Sequence, residues 1–363
     1  MTARTIVIDH GSGYVKSGFS GWNEPQLVHP NIVNYRPCRE NPGPSSARRV
    51  VGLGIDIFHP DTFSYPIQRG HILNWEGVEH IWSFVMESHQ KGCEGSPVLV
   101  TESPLRKPVD RKKTLEIMFE SLCVPSLLLA DQLEMSLYAS GLLTGTVFDS
   151  GFGLTRVQPF HLGQPLWEGR KVVEFAGQDL STYLKQTLFP EGSDVPTVFQ
   201  MQMADTIQMN QCYTPQNLGD AIDFLQNLPP GSDEQNTYRL PDGTSVELTP
   251  MQRLAPEMFF SPEMFDLKSP SLSQVLVDSI KTCEDSLQPR LLSHVIACGG
   301  NTMYSGFGER LEQELARLHP SGFTASVCVN SKRKCSVWLG ASIVAHLSTY
   351  KSEWITKVEY DES

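Results

Sequence analysis

The feature that most constrains this chain is a repetition: two segments, 140 residues apart, each run an apolar strand into an aspartate and then into a glycine-serine turn. The first reads Thr5-Ile6-Val7-Ile8-Asp9-His10-Gly11-Ser12-Gly13, and the second Thr146-Val147-Phe148-Asp149-Ser150-Gly151-Phe152-Gly153. Glycine permits a bend with positive φ, and it lets backbone N–H groups approach an anion with no side chain between. A phosphate suits such a turn, and an aspartate at the strand end is placed to hold a neutralising cation, directly or through water. Either segment alone reads as a plain β-hairpin. Together they imply two similar half-molecules that face one another, each offering a phosphate-gripping hairpin to a ligand held between them.

At 363 residues the chain has room for two domains with separate cores. A net charge of −12 argues against a broad nucleic-acid surface. The start, Met1-Thr2-Ala3-Arg4-Thr5, has no apolar signal region, and Asp131 and Glu134 interrupt the best candidate for a membrane span. A cytosolic protein is expected. The eight cysteines show no Cys-x-x-Cys and no His-rich spacing, so buried reduced thiols are expected rather than zinc, with Cys38 exposed in a polar, Pro-rich loop.

Strands and helices alternate, which predicts α/β layers. Residues 97–101 and 127–130 read as strands, and Asp110 to Leu122 as a helix with Leu115, Met118, Phe119 and Leu122 on one face. In the second half a hairpin at 145–159 precedes helices near 178–189 and 271–287 and a strand at 294–298. The later helix turns Leu272, Val275, Leu276, Ile280 and Cys283 inward. Two stretches break the pattern: residues 34–64, rich in Pro, Arg and polar residues, and residues 190–270, which hold loops such as Leu228-Pro229-Pro230-Gly231-Ser232.

Further motifs carry a resemblance. Ala176-Gly177-Gln178-Asp179-Leu180, Cys298-Gly299-Gly300-Asn301-Thr302-Met303-Tyr304, Ser336-Val337-Trp338-Leu339-Gly340-Ala341-Ser342, Ser136-Leu137-Tyr138-Ala139-Ser140-Gly141 and the closing Glu359-Tyr360-Asp361-Glu362-Ser363 together resemble actin from end to end. The resemblance implies a divergent, testis-associated member of that family with the actin-like ATPase fold: two facing α/β domains, four subdomains and a nucleotide cleft. It places the first half at 1–139, with a small outer subdomain at 31–65 and completed by 336–363, and the second at 140–335, with an outer subdomain near 176–266. The halves would be joined by crossings near Gln132 to Ser140 and Arg333 to Ser336, about which the cleft opens and closes.

By resemblance the cleft binds ATP or ADP with Mg2+. Gly11, Ser12 and Gly13 face the terminal phosphates from one side and Ser150, Gly151 and Gly153 from the other, with Lys16 neutralising phosphate charge. Asp9 and Asp149 hold the hydrated magnesium through water. Gly177, Gly299, Gly300, Asn301, Met303 and Tyr304 belong to the nucleotide site, with a helix start that meets a phosphate, and Lys334 lies against the base. Gln132 matches the glutamine that positions the hydrolytic water. Read from the residues alone, Asp9 and Asp149 have turn capping as a second and weaker reading, and Gln132 is equally a satisfied polar residue at a helix start.

The departures matter too. Actin carries an acidic residue where this chain has Phe152, a histidine at Arg156 and an asparagine at His10; the Asp205 to Met209 stretch lacks the residues that hold base and ribose. ATP binding with little or no hydrolysis is therefore expected. Arg156 has two readings, a partner for phosphate or Asp149, or an outward solvated strand residue.

For partners, the resemblance implies an apolar cleft for cytoskeletal or actin-binding proteins, formed by Tyr138, Ala139, Gly141, Leu143, Ile343, Val344 and Leu347 on and beside a helix from Val337 to about Leu347; the alternative is that these are core residues. Glu353 stands on its rim in place of an apolar residue. Three prolines in residues 36–49, the missing acidic leader and the end at Ser363 argue against a conventional homopolymer. Two other functions stay open: an ATP-hydrolysing assembly protein, or a subunit of a nuclear chromatin complex, against which stands the lack of a basic localisation cluster.

Overall fold

The computed structural model describes residues 4–36, 48–51, 63–89, 95–189, 191–192, 197–219, 237–239, 243, 245–319 and 324–362. Two six-stranded sheets organise it. The first runs Ile355–Thr356, Ser126–Asp131, Val98–Glu102, Ile6–His10, Tyr14–Phe19, Leu27–Pro30. The second runs Gln164–Pro165, Thr155–His161, Gly145–Ser150, Val295–Cys298, Val327–Cys328, with Lys171–Val173 also paired to Thr155–His161. In each, an antiparallel hairpin continues into parallel strands through its first strand. The two hairpins close identically, by Gly11 N–H to the Tyr14 carbonyl and by Gly151 N–H to the Leu154 carbonyl, both at 3.0 Å.

Strands buried on both faces need apolar residues at successive positions, as the sequence supplies. Ile6 and Ile8 point into a core with Val78, Ile81, Trp82 and Val85 of the helix Trp75–His89, whereas Val7 points oppositely, against Met135, Trp338, Ala341 and Val344. In the second sheet Phe148 and Ala297 enter a large core with Leu276, Ile280 and Phe307, while Val147 and Ile296 meet Leu133 and Leu137.

The helix Gln132–Ala139 thus serves both sheets, Met135 facing the first and Leu133 and Leu137 the second. Asp131 ends a strand of the first sheet and caps this helix, its Oδ1 accepting from the N–H of Leu133 at 2.8 Å and of Glu134 at 3.1 Å. The chain returns from the second sheet through the turn Arg333–Cys335 into the helix Ser336–Val344. These two helices pack backbone to backbone at Gly340, where an added Cβ would lie 1.7 Å from the Met135 carbonyl oxygen.

The predicted strands and inward helix faces appear, with shifted ends. The helix expected to Leu122 closes at Glu116 and continues as a wider turn, Ile117–Ser121, so Met118 and Phe119 still enter the core. The helix Leu272–Lys281 is shorter than expected and ends before Cys283, yet Leu272, Val275, Leu276, Ile280 and Cys283 are all buried. The thiols divide: Cys212, Cys283 and Cys298 are buried, but Cys123 and Cys328 are exposed. Cys38, Cys93 and most of the Pro-rich 36–49 loop and of the Leu228–Ser232 region lie outside the described residues. No described helix is long and apolar enough to cross a membrane.

Gly340→Ala should lower stability by about 3 kcal/mol or more, because backbone cannot yield as a side-chain tip does. Gly300→Ala, with nothing within 4 Å of the added carbon, should change it by less than about 0.5 kcal/mol. Urea unfolding of both variants checks this, and equal losses would contradict it.

Candidate functional site

A cavity of about 640 Å³ opens between the sheets, walled by both hairpin turns, Gly299 to Ser305, Asp205 to Cys212 and Arg333–Lys334. Five basic side chains line it (Lys16, Arg106, Arg156, Arg333, Lys334) against three acidic ones (Asp9, Asp149, Asp205). In a chain of net charge −12, this is a local reversal of sign that favours an anion.

Each hairpin places a cation directly across the ladder from its aspartate: Lys16 pairs with Asp9 in register, and Arg156 with Asp149. Lys16 Nζ lies 3.0 Å from Asp9 Oδ2. Arg156 donates from Nε at 3.1 Å, and from Nη2, to Asp149 Oδ2. Burial works against both cations, but the facing carboxylate carries each pKa above its ordinary value. Neither aspartate is a turn cap, and Arg156 is no outward residue, its side chain being only 10% exposed.

Gln132 bridges the two hairpins. Its Nε2 donates to Asp9 Oδ1 at 3.4 Å and Thr101 Oγ1 at 3.3 Å, and its Oε1 accepts from Arg156 Nη1 at 2.6 Å. Lys16, Asp9, Gln132, Arg156 and Asp149 form one continuous polar chain across the cleft. The donor set is a poor fit to a magnesium ion held through carboxylate-bound water, because Asp9 already accepts from Lys16 and Asp149 from Arg156.

Gly11, Gly13, Gly151 and Gly153 do not use the positive φ expected of them. Close approach is their role. An added Cβ on Gly13 would fall 2.6 Å from Phe152 Cβ, and one on Gly153 would fall 2.8 Å from Ser12 Oγ, so the two tips touch. The positive φ is at Gly299, 91°, where the backbone lies against the Ser150 carbonyl. Asn301 Nδ2 donates to Ser150 Oγ at 3.0 Å and to the Gly151 carbonyl at 2.6 Å, and Gly177 N–H reaches the same carbonyl at 3.1 Å.

On the opposite wall Met209 and Met303 are exposed, and the Lys334 ammonium sits 5.4 Å from the Tyr14 ring centroid. Burial, with Lys16 nearby, lowers the Lys334 pKa. Gln208 donates to the buried Tyr304 hydroxyl at 2.6 Å and accepts from Ser181 Oγ at 2.5 Å.

The cleft thus brings together Asp9, Gly11, Ser12, Gly13, Lys16, Gln132, Asp149, Gly151, Gly153, Gly299, Gly300, Asn301, Met303, Tyr304 and Lys334, with Ser150 and Gly177 bracing it from behind. The apolar group is divided. Leu143, Ile343 and Leu347 are exposed, but Val344 is fully buried against Val7 and Leu99, because helical spacing turns it toward the first sheet. Tyr138 donates to Glu134 at 2.8 Å and receives the Tyr350 hydroxyl at 3.1 Å.

Sequence reasoning missed the clasp between Arg69 and Asp179. Arg69, held at φ 44°, donates to both Asp179 oxygens at 2.8 and 3.1 Å and to the Glu174 carbonyl at 2.7 Å. Asn31 was missed also: its Nδ2 donates to the carbonyls of Ser12 at 3.0 Å and Ile67 at 2.9 Å, tying the first turn in place. No local pattern marks either residue.

Those donations leave Asn31 Oδ1 as the acceptor for His10 Nε2 at 2.8 Å, so Nε2 carries the proton and Nδ1 has no partner. Burial lowers the His10 pKa from 6.5 to about 3. The unfolded chain therefore binds a proton near pH 6.5 that the folded one refuses until about 3, and stability falls as pH drops through that window. Asp205, raised by burial from 3.8 to about 6, acts oppositely, stabilising the folded state as pH drops through its own window. His10→Asn isolates the histidine: between about pH 7 and about pH 5 the variant should lose about 1–2 kcal/mol less than the native chain in urea unfolding. Parallel losses would refute the assignment.

The sequence model of the actin family matches residues 2–363. The chain is also 63% identical over 362 residues to human "Actin-like protein 8", covering 100% of this chain and 99% of that relative. Its mixed sheets, paired hairpins and interposed cleft are those of the actin-like α/β fold, and the chain belongs to the actin family.

Proposed function

We propose that this chain is an actin-like structural or interaction protein whose cleft binds ATP or ADP as a ligand that braces the two sheets, with little or no hydrolysis. The family generally binds these nucleotides, and the basic cleft between two glycine-serine hairpins supports the same ligand here.

The observation that carries the absence of turnover is the engagement of Gln132 at both ends of its amide. Phosphoryl transfer to water depends on positioning and on charge stabilisation, so a glutamine that orients water needs a free amide end. Here both ends are engaged, the oxygen by Arg156 and the nitrogen by Asp9 and Thr101. Phe152 supplies no side-chain oxygen at the second tip, and Arg156 is a donor only, so it offers an attacking water no acceptor. Each positioning or electrostatic group contributes on the order of 10² to 10³ in rate, so losing two removes hydrolysis long before it removes binding.

Its setting is the cytoplasmic cytoskeleton, without a conventional homopolymer of its own, and the exposed Leu143, Ile343 and Leu347 supply an apolar surface for cytoskeletal or actin-binding partners.

ATP at about 100 times its Kd should stabilise the purified chain by about 2.7 kcal/mol, a thermal shift of several degrees. Phosphate release over hours should match buffer alone and be unchanged by Gln132→Ala. Release at the rate of conventional actin, abolished by that substitution, would sink the non-hydrolytic reading. The absence of any thermal shift would sink the nucleotide ligand and leave a bare scaffold.

A further inference from the structure

The form in which the cleft holds its nucleotide follows from the charges already placed beside its carboxylates. In both hairpins the aspartate at the end of the first strand faces a cation at the paired position of the second, so the two halves repeat the same acid–base pair. The second pair is the more constrained. The Arg156 guanidinium is gripped on one edge by Asp149 and on another by Gln132, and its planar fork cannot lose its charge. Gln132 is itself held by Asp9 and Thr101, so Arg156 is anchored from both sides of the cleft.

A magnesium ion demands near-octahedral oxygen and keeps several waters, which must in turn find acceptors free of other cations. Asp149 Oδ2 accepts two donors from Arg156, Asp9 Oδ2 accepts Lys16, and Asp9 Oδ1 accepts Thr101 at 2.9 Å. The second tip offers the Phe152 ring, packed on Gly13, in place of an oxygen. A hydrated divalent cation here would compete with Arg156 for the charge of Asp149, and displacing Arg156 would leave a buried guanidinium unpaired, which is costly.

We propose that the cleft takes its nucleoside polyphosphate without a divalent cation, with Arg156 and Lys16 as the counter-charges of the two hairpins. The inference rests on the nucleotide reading above and specifies the ligand as the free polyphosphate. Arg106, Arg333 and Lys334 on the same walls add to the positive field.

The test is calorimetric titration of the full chain with ATP in EDTA and again in millimolar magnesium. The expected Kd values agree within about threefold, and weakening by more than about tenfold in EDTA overturns the inference while keeping the nucleotide reading. No binding in either buffer overturns both. This comparison needs no variant. Arg156→Gln, which frees Asp149, should weaken binding in EDTA about 10- to 100-fold and recover part of it in magnesium; unchanged affinity in EDTA would also overturn the assignment.

Discussion

The short helix Gln132–Ala139 is the constraint on which the rest of the molecule depends. Its buried face is divided between the two sheets, and at Gly340 the returning helix lies directly on its backbone. Contact that close leaves the two crossing helices no room to slide past one another at this point. Its first residue, Gln132, stands between the two hairpins, and the packing of the crossing helices is thereby transmitted to the floor of the cleft.

On that floor, charge is balanced internally. Arg156 and Asp149 are both nearly removed from water, and each would be expensive there alone. Pairing across one rung of a hairpin, with Gln132 taking the remaining guanidinium edge, solves this without a ligand. The same solution ties up the groups that a hydrolytic site would need mobile and exposed to water. The proposed structural role of a nucleotide and the proposed low demand for metal both rest on this one buried arginine.

The clasp of Arg69 on Asp179 lies beside Gly153 at the tip of the second hairpin. Asp179 also accepts the Ala176 N–H at 2.9 Å and so caps the helix Gly177–Leu188, whose first residue is bonded to the second hairpin turn. Charge pairing at the rim and turn geometry at the floor are therefore mechanically connected, and side chains far apart in sequence hold the hairpin tips in contact.

Much was legible in the chain itself. The repeated strand-Asp-Gly-Ser turn, the uninterrupted apolar strands and the spacing of Leu272, Val275, Leu276 and Ile280 follow from period and local chemistry, which a sequence carries directly. They determined two facing α/β units and which turns line the space between them. Only the tertiary structure decided between readings that share one local pattern: Arg156 as Asp149's partner, Asp9 and Asp149 as ion-paired rather than turn-capping, Val344 as core, and the hairpin glycines as points of contact rather than of positive φ. Arg69 and Asn31 carried no local signal at all, because their work lies in carbonyls and carboxylates supplied by distant segments. Local periodicity is a property of neighbours in sequence, whereas an ion pair or a backbone contact is a property of neighbours in space, and only folding makes those.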